Sequence, residues 1–305
     1  QALACTDAAN DAHYFKQTFF PVTEQLGRHY DYSAKRTASL MDEMEEHGQE
    51  PLKLCKSAFT RWLSHNAVVA SIDNRLAPVL TDLQKSGDGG DATAAGLFKL
   101  MATKEYVSTL LLMRDVLPLL SAMSKVFQTR GNDLTIIEDT VPGVVAAIDN
   151  MIENPGQNWL RRDDVFKELH DSGVDLGGHP SRTQEWLEKQ RRAYLGALRD
   201  RLQQRFPDNH LLSAFSRVFH FKHYPVDPGT PCSAADEAVK TLADHFSQPL
   251  PAKEGEALVD SEKLKSEWVL FTGLYRKKCA ALQADFVVQE LAKQEESRKN
   301  KDKTQ

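Results

Sequence analysis

The sequence contains no run of about eighteen apolar residues, so nothing in it reads as a membrane-spanning helix. Its first residues carry charge too early for a secretory signal, and an intracellular soluble chain is expected. Cysteine is scarce: Cys5, Cys55, Cys232 and Cys279 lie far apart with no Cys-x-x-Cys pair. That spacing argues against a zinc ribbon and against a small disulfide scaffold, and leaves reduced thiols, most of them packed inside. A phosphate-cradling loop is missing too, because Gly87, Gly89 and Gly90 come without a Lys-Ser/Thr pair or a flanking strand. No serine sits in a Gly-x-Ser-x-Gly elbow, so an independent hydrolase is not expected. Positive charge is also in deficit: a formal net charge of -5 gives no support to nucleic-acid binding by the whole surface. Any basic strip has to be found residue by residue.

What is present is helical patterning over 305 residues, with 41% hydrophobic and 27% charged content, enough for one large globular domain or two smaller ones. Tyr14, Phe15, Phe19, Phe20 and Val22 make an aromatic patch interrupted by Pro21, and two or three helices are expected before His47. Leu52, Lys53, Leu54 and Cys55 alternate and predict the one strand. Helical spacing returns from Trp62 to Leu83 through Val68, Val69, Ile72, Leu76, Val79 and Leu80. Ser86, Gly87, Asp88, Gly89, Gly90 and Asp91 predict a loop and a domain boundary.

Beyond that boundary the stretch from Val107 to Val126 is apolar almost all round, with Pro118 as an expected kink, and predicts a helix at the centre of a bundle. Leu134, Thr135, Ile136 and Ile137 are β-branched in character, but Val141 to Ile152 has helical spacing and reads as one more helix. A short helix is expected from Trp159 to Leu169. Ser181, with Gln184 three residues on, predicts the cap of a helix reaching Phe206. Three prolines and a glycine between Pro225 and Pro231 predict a loop; Ser233 and Ser261 are the expected caps of the last two helices. From Lys293 the chain is polar throughout and reads as a disordered tail. The chain opens on Gln1 with helical spacing from Leu3, from which we expect an internal fragment of a longer protein.

Three groups of side chains invite a binding role. On the helix that follows Ser181, Lys189, Arg192 and Arg199 fall on one side beside an apolar face, where a row of phosphates could meet them. Glu185, Glu188 and Asp200 offset that charge, and a solvated amphipathic face is the plainer reading. His220, His223 and Cys232 include imidazoles three apart plus a thiolate, but structural zinc takes four ligands and His210 is a distant fourth, so no metal site is expected. Arg61 and Trp62 pair a forked donor with a large apolar anchor, which reads as structural in preference to a DNA contact.

The run Phe59, Thr60, Arg61, Trp62, Leu63, Ser64, His65 resembles the Thr-Arg-Trp-Leu-Ser signature of hAT-superfamily transposases, especially the host proteins of the BED and zinc-finger-associated type descended from them. Leu3, Ala4, Cys5, Thr6, Asp7, Ala8 and Ala9 resemble the alanine-rich run that follows a Cys-x-x-His in that family. The likeness continues at Leu112, Met113, Arg114, Asp115, Val116 and Leu117, at Ala214 and Phe215, at Tyr224 and Pro225, at His245 and Phe246, and at Ser266, Glu267 and Trp268. It covers most of the chain, and only Thr60 to Ser64 is a sharp motif.

The resemblance implies a split RNase H-like nuclease domain carrying a large helical insertion between its second and third catalytic carboxylates. Those carboxylates hold the two metal ions of strand cleavage. By the same likeness this chain lies past both aspartates and ends before the glutamate and the dimerisation segment, so no acidic residue here inherits a catalytic role and no cofactor is expected. The expected fold class is mainly α: a partial RNase H-like remnant over 1–85, a helical insertion domain over 86–290 and a polar tail over 291–305. The expected function is a non-catalytic part of a transposase-derived nuclear protein, contacting DNA or other proteins. Two alternatives stay open: part of an active DNA transposase whose carboxylates lie outside this chain, and a helical interaction scaffold without DNA binding. Thr60, Arg61, Trp62, Leu63 and Ser64 are assigned a structural role, and the oligomeric state is left open.

Overall fold

A computed structural model describes residues 8, 12–54, 62–128, 134–206, 210–219, 233–248 and 258–272. The chain is mainly helical, and among the described residues there is no strand, only an isolated parallel bridge between Thr103 and Gly177. The strand expected at Leu52 is not formed: residues 51–54 pair with nothing in a sheet, and Cys55 lies outside the described residues. By contact the chain divides into two compact units, unit 1 comprising Gln1–Asn132 and Thr140–Pro207, unit 2 comprising Asp133–Asp139 and Asp208–Gln305. The boundary expected at the glycine-rich run after residue 85 falls inside unit 1.

Unit 1 opens with a π-helical turn, Phe15–Phe19, that runs directly into α1, Phe20–Asp31. Pro21 explains the turn. Its ring leaves no N–H to donate and crowds the carbonyl four residues back, and the wider π register, in which Phe20 donates to the Phe15 carbonyl, accommodates both effects. The aromatic patch is thus continued rather than broken: Phe15 stacks on Tyr194 with centroids 4.2 Å apart, and Phe19 meets Tyr106 at 5.2 Å. α2, Ala34–Glu46, is capped by the Ser33 hydroxyl accepting from the Arg36 N–H.

After α3, Trp62–Asp73, comes α4, Leu76–Asp88, which runs through the first half of the segment expected as a loop. Only 89–91 turn. Gly90 takes a φ of +99°, and a Cβ on Gly87 would sit 2.9 Å from the Cα of Ala95, so Gly87 lets α5, Ala92–Met101, cross α4 closely. Asp91 caps α5 by accepting from the N–H groups of Thr93 and Ala94 at 2.9 and 3.1 Å. The Ala94 bond, with Arg36 at 2.7 Å adding to it against some desolvation, holds the Asp91 carboxyl below its usual range.

The centre of unit 1 is α6, Lys104–Gln128, which packs against the π turn, α3, α5 and three later helices. Of the run from Val107 to Val126 expected to be enclosed all round, 107–113 is buried throughout, as are 105 and 106, whereas Pro118, Ala122 and Lys125 are exposed along one face; burying a leucine or valine contributes roughly 1.5–3 kcal/mol. The helix continues through Pro118. The later partners are α7, Leu134–Glu153, α8, Gln157–Leu160, α9, Arg162–Asp171, and α10, Gln184–Arg205; of these α8, α9 and α10 pack on α6. Three polar joints fasten α6 to its surroundings. Asp73 accepts from Arg114 at 3.0 Å and from Arg161 at 2.6 Å. Asp115 accepts from the N–H groups of Asn158 and Trp159, both at 3.0 Å, and so caps α8 from outside it. Glu105 accepts from the His179 N–H at 2.8 Å.

The α10 start follows from that last bond. Glu105 fixes a turn in which the Arg182 N–H donates to the His179 carbonyl, and Ser181 is drawn to the His179 ring at 2.7 Å. The cap therefore passes from Ser181, as expected, to Thr183, whose hydroxyl accepts from the Trp186 N–H. Arg191 closes the α7 C-terminus by donating to the carbonyls of Met151 and Ile152, and Trp159 lies between Arg191 and Arg162 at 5.7 and 4.7 Å. Burial opposes the charge on Glu188, yet the bonds from Arg191 and Trp159, with Arg162 near, hold its carboxyl below the usual value.

Unit 2 contains α11, His210–Phe219, α12, Ser233–Phe246, and α13 over 261–272. Ser233 is the first residue of α12. The α13 cap is Asp260 rather than Ser261, since its Oδ1 accepts from the N–H groups of Glu262 and Lys263 at 3.0 and 3.1 Å. An ionised carboxylate one residue earlier outcompetes the hydroxyl for those donors.

Two predictions follow from unit 1. A Cβ on Gly156 would collide with the Asp115 carboxylate, so Gly156→Ala should lower stability by about 1–3 kcal/mol. Asp115→Ala should cost about 1 kcal/mol through the lost cap, and the double variant should cost less than the sum because the colliding group is gone; additive losses in urea denaturation would contradict the packing. His29 is buried with both ring nitrogens unbonded. Desolvation first, then Arg36, lowers its pKa against the pull of Asp91 and Asp82. The fold favours the neutral ring, so stability is full above the ordinary value of 6.5 and falls as pH drops below it. His29→Leu should flatten that part of a melting-temperature profile, and an unchanged slope would show that other groups cause it.

Candidate functional site

The sharpest motif of the sequence cannot be built into a site. Thr60 and Arg61 lie outside the described residues, and Trp62, Leu63 and Ser64 form the first turn of α3 without described side chains. The segment holding His220, His223 and Cys232, with Tyr224 and Pro225, lies outside as well, as do Cys5, Cys55, Cys279 and the polar tail. Among the described residues no three His, Cys, Asp or Glu side chains gather as metal ligands, and no described helix is long and apolar enough to cross a membrane.

The cation row of α10 is brought to one side of the helix and is largely matched by acid. Arg199 donates to Asp149 on α7 at 3.0 Å and to Asp200 at 2.8 Å, and these two carboxylates raise its pKa further. Arg192 lies 3.7 Å from Glu153, one turn beyond Asp149. Lys189 is exposed and has no ion pair among the described residues. A phosphate approaching this face would have to displace carboxylates from two of the three cations, and each exposed pair is weak but repels an incoming anion.

The most distinctive surface is in unit 2. α11 presents Phe215, Val218 and Phe219, α12 presents Val239, Leu242 and Phe246, and α13 presents Leu264, Trp268 and Phe271. These recur at three- and four-residue steps, so each helix offers one apolar stripe. Two polar ties hold the stripes in register: the Trp268 indole N–H donates to Asp236 at 2.8 Å, and the Val259 N–H donates to the Phe246 carbonyl at 3.2 Å. Small residues on α12, Ala235 and Ala238, are fully or almost fully buried and allow close approach. Phe215 packs against Phe219 and Phe246 at 5.9 Å each, and Trp268 stacks on Phe271 at 5.2 Å.

The stripes close in part, with Val218, Val239 and Leu242 buried beside Ala214 and Ala238 and with Phe215, Phe246, Leu264 and Trp268 packed against them. They surround a hollow of about 480 Å³ in which Glu267 is the single charged lining residue. At its rim Phe219 is 69% exposed and Leu258 57%. Open apolar surface of this kind is uncommon away from sites of contact. Phe215, Phe246 and Trp268 stand among the residues of the family resemblance, but the groove itself is not legible there, because a stripe that lines a groove has the same spacing as one that fills a core. One signal was available: Val269 and Leu270 make α13 apolar on a second face, and both are 68% exposed.

An open groove should bind an apolar dye. Anilinonaphthalene sulfonate should fluoresce with the native chain, and Phe219→Glu should remove most of that signal without changing helical content by circular dichroism; an unaffected signal would place the dye elsewhere. No family model, no curated protein and no solved structure matches the chain, so the site is read from its geometry and chemistry alone.

Proposed function

We propose that the chain is a non-catalytic helical module of a protein descended from a hAT transposase, and that it acts by binding another protein. The observation that carries the contact role is the open aromatic groove of unit 2. Support for the descent is the run from Thr60 to Ser64 together with Leu112 to Leu117. Within the latter, Arg114 and Asp115 make two of the joints that hold α6, so the likeness falls on residues with a scaffolding task. The RNase H-like remnant, the nuclear location and the domain limits at 85 and 290 belong to the same proposal.

DNA contact through Lys189, Arg192 and Arg199 is the second reading. It is supported by the exposure of Lys189 and opposed by Asp149, Glu153 and Asp200 beside the other two cations. An active transposase is the third, and it turns on carboxylates encoded outside this sequence.

A photo-crosslinking amino acid in place of Phe219, in the protein expressed in cells, separates the readings. Protein-contact function predicts discrete crosslinked protein at position 219 and none from a control at Tyr32, which is 84% exposed in unit 1. Equal crosslinking from both positions would contradict it. In parallel, joint substitution of Lys189, Arg192 and Arg199 by alanine should leave duplex-DNA binding and its salt dependence unchanged; a marked loss of affinity with a shallower salt slope would establish the DNA reading.

A further inference from the structure

We propose that His29 is an acid-sensitive latch: taking up a proton frees α2 from α4 and from the start of α5, while the core around α6 stays closed. The device lies wholly within unit 1 and is separate from the contact role read in unit 2.

The surroundings of the ring carry this inference. His29 stands on α1, 4% exposed, with neither Nδ1 nor Nε2 hydrogen-bonded. The neutral ring already holds one buried N–H without an acceptor, and a second proton would add a charge that has none either. Three elements face it with charge: α2 with Arg36, α4 with Asp82, and the residue before α5 with Asp91. Burial first, then Arg36, favours the neutral ring, and the two carboxylates pull the other way.

Neither carboxylate is idle. Asp91 is full: its Oδ2 accepts from Nε and Nη2 of Arg36 at 3.0 and 2.7 Å, and its Oδ1 accepts from the N–H groups of Thr93 and Ala94. Asp82 accepts from the hydroxyls of Tyr30 and Ser39. Turning Asp91 to a charged ring gives up Arg36 or the α5 cap, and turning Asp82 gives up Tyr30 or Ser39. Arg36 and Ser39 both belong to α2. The proton is therefore accommodated at the expense of α2, or by water once α2 has lifted.

α2 is suited to lift. Of its 13 residues Leu40, Glu43 and Met44 are buried. Polar ties do much of the holding: Arg36 to Asp91, Ser39 to Asp82, the Thr37 hydroxyl to the Tyr30 carbonyl at 2.9 Å, and Lys85 to Glu43 at 2.7 Å. An element with few buried apolar contacts opens at a lower free energy than the whole fold. Coupling that opening to a histidine places its response between neutral and mildly acidic pH.

Hydrogen–deuterium exchange of the full chain in low urea, with rates corrected for the intrinsic effect of pH, reads the latch. Amides over 34–46 should exchange through an opening with a shallower urea dependence than that of 105–113. An opening that returns one histidine to its ordinary 6.5 rises about tenfold between about pH 7.5 and about pH 5.5, so protection over 34–46 should fall by that factor. His29→Leu should abolish the fall, and His29→Gln should do so where the leucine variant does not fold. His47→Gln, which alters the histidine beside Glu43 at the end of α2, should preserve it.

A urea dependence over 34–46 equal to that of 105–113 would make the opening global and overturn the proposal. A shallow opening indifferent to pH would overturn it too, because α2 would then move with His29 still buried. So would a fall in protection that survives both His29 variants or vanishes with His47→Gln.

Discussion

A helix buried on every side through its first half governs unit 1. Because α6 is buried on all sides over 105–113 and half-buried at Arg114 and Asp115, water reaches these charged side chains poorly, and other elements supply their partners. Glu105 therefore sets the turn before α10, Asp115 caps α8 and Arg114 shares Asp73 with Arg161. The loops between helices owe their conformations to these bonds as much as to their own turn residues. Gly156 is glycine because the Asp115 carboxylate occupies the space of a side chain.

Unit 2 meets the opposite condition. Its described helices bury Val218, Val239 and Leu242 against one another and leave Phe219 and Leu258 exposed. Leaving large apolar side chains in water forgoes stabilisation that burial would supply, and the proposed contact role would account for it. The polar ties at Trp268 and Val259 fix how the stripes lie against one another.

Much of this was legible in the residues. The all-round apolar run from Val107 to Val126 marks the central helix, and the break before Ser181 and the helix to Phe206 are visible in composition. Where sequence and structure part, a tertiary partner decides. Ser181 is a good local cap but is taken by His179 once Glu105 has fixed the turn. The glycines at 87 and 89 suggest a loop, yet Gly87 serves helix crossing. Leu52 to Leu54 alternates like a strand but has no strand to pair with among the described residues. The α10 cations look like a phosphate row until α7 brings Asp149 and Glu153 beside them. Distance along the chain hides each of these neighbours.

A closed core in unit 1 and a partly open groove in unit 2 predict different backbone protection, and hydrogen–deuterium exchange on the full chain tests that contrast most directly. Amides over 105–113 should exchange slowest of all. Those of α11, α12 and α13 should exchange distinctly faster, as expected for short helices whose apolar faces are only partly covered. If the unit 2 helices were protected as strongly as α6, their groove would be filled in the free chain, and an open contact surface would no longer describe this protein.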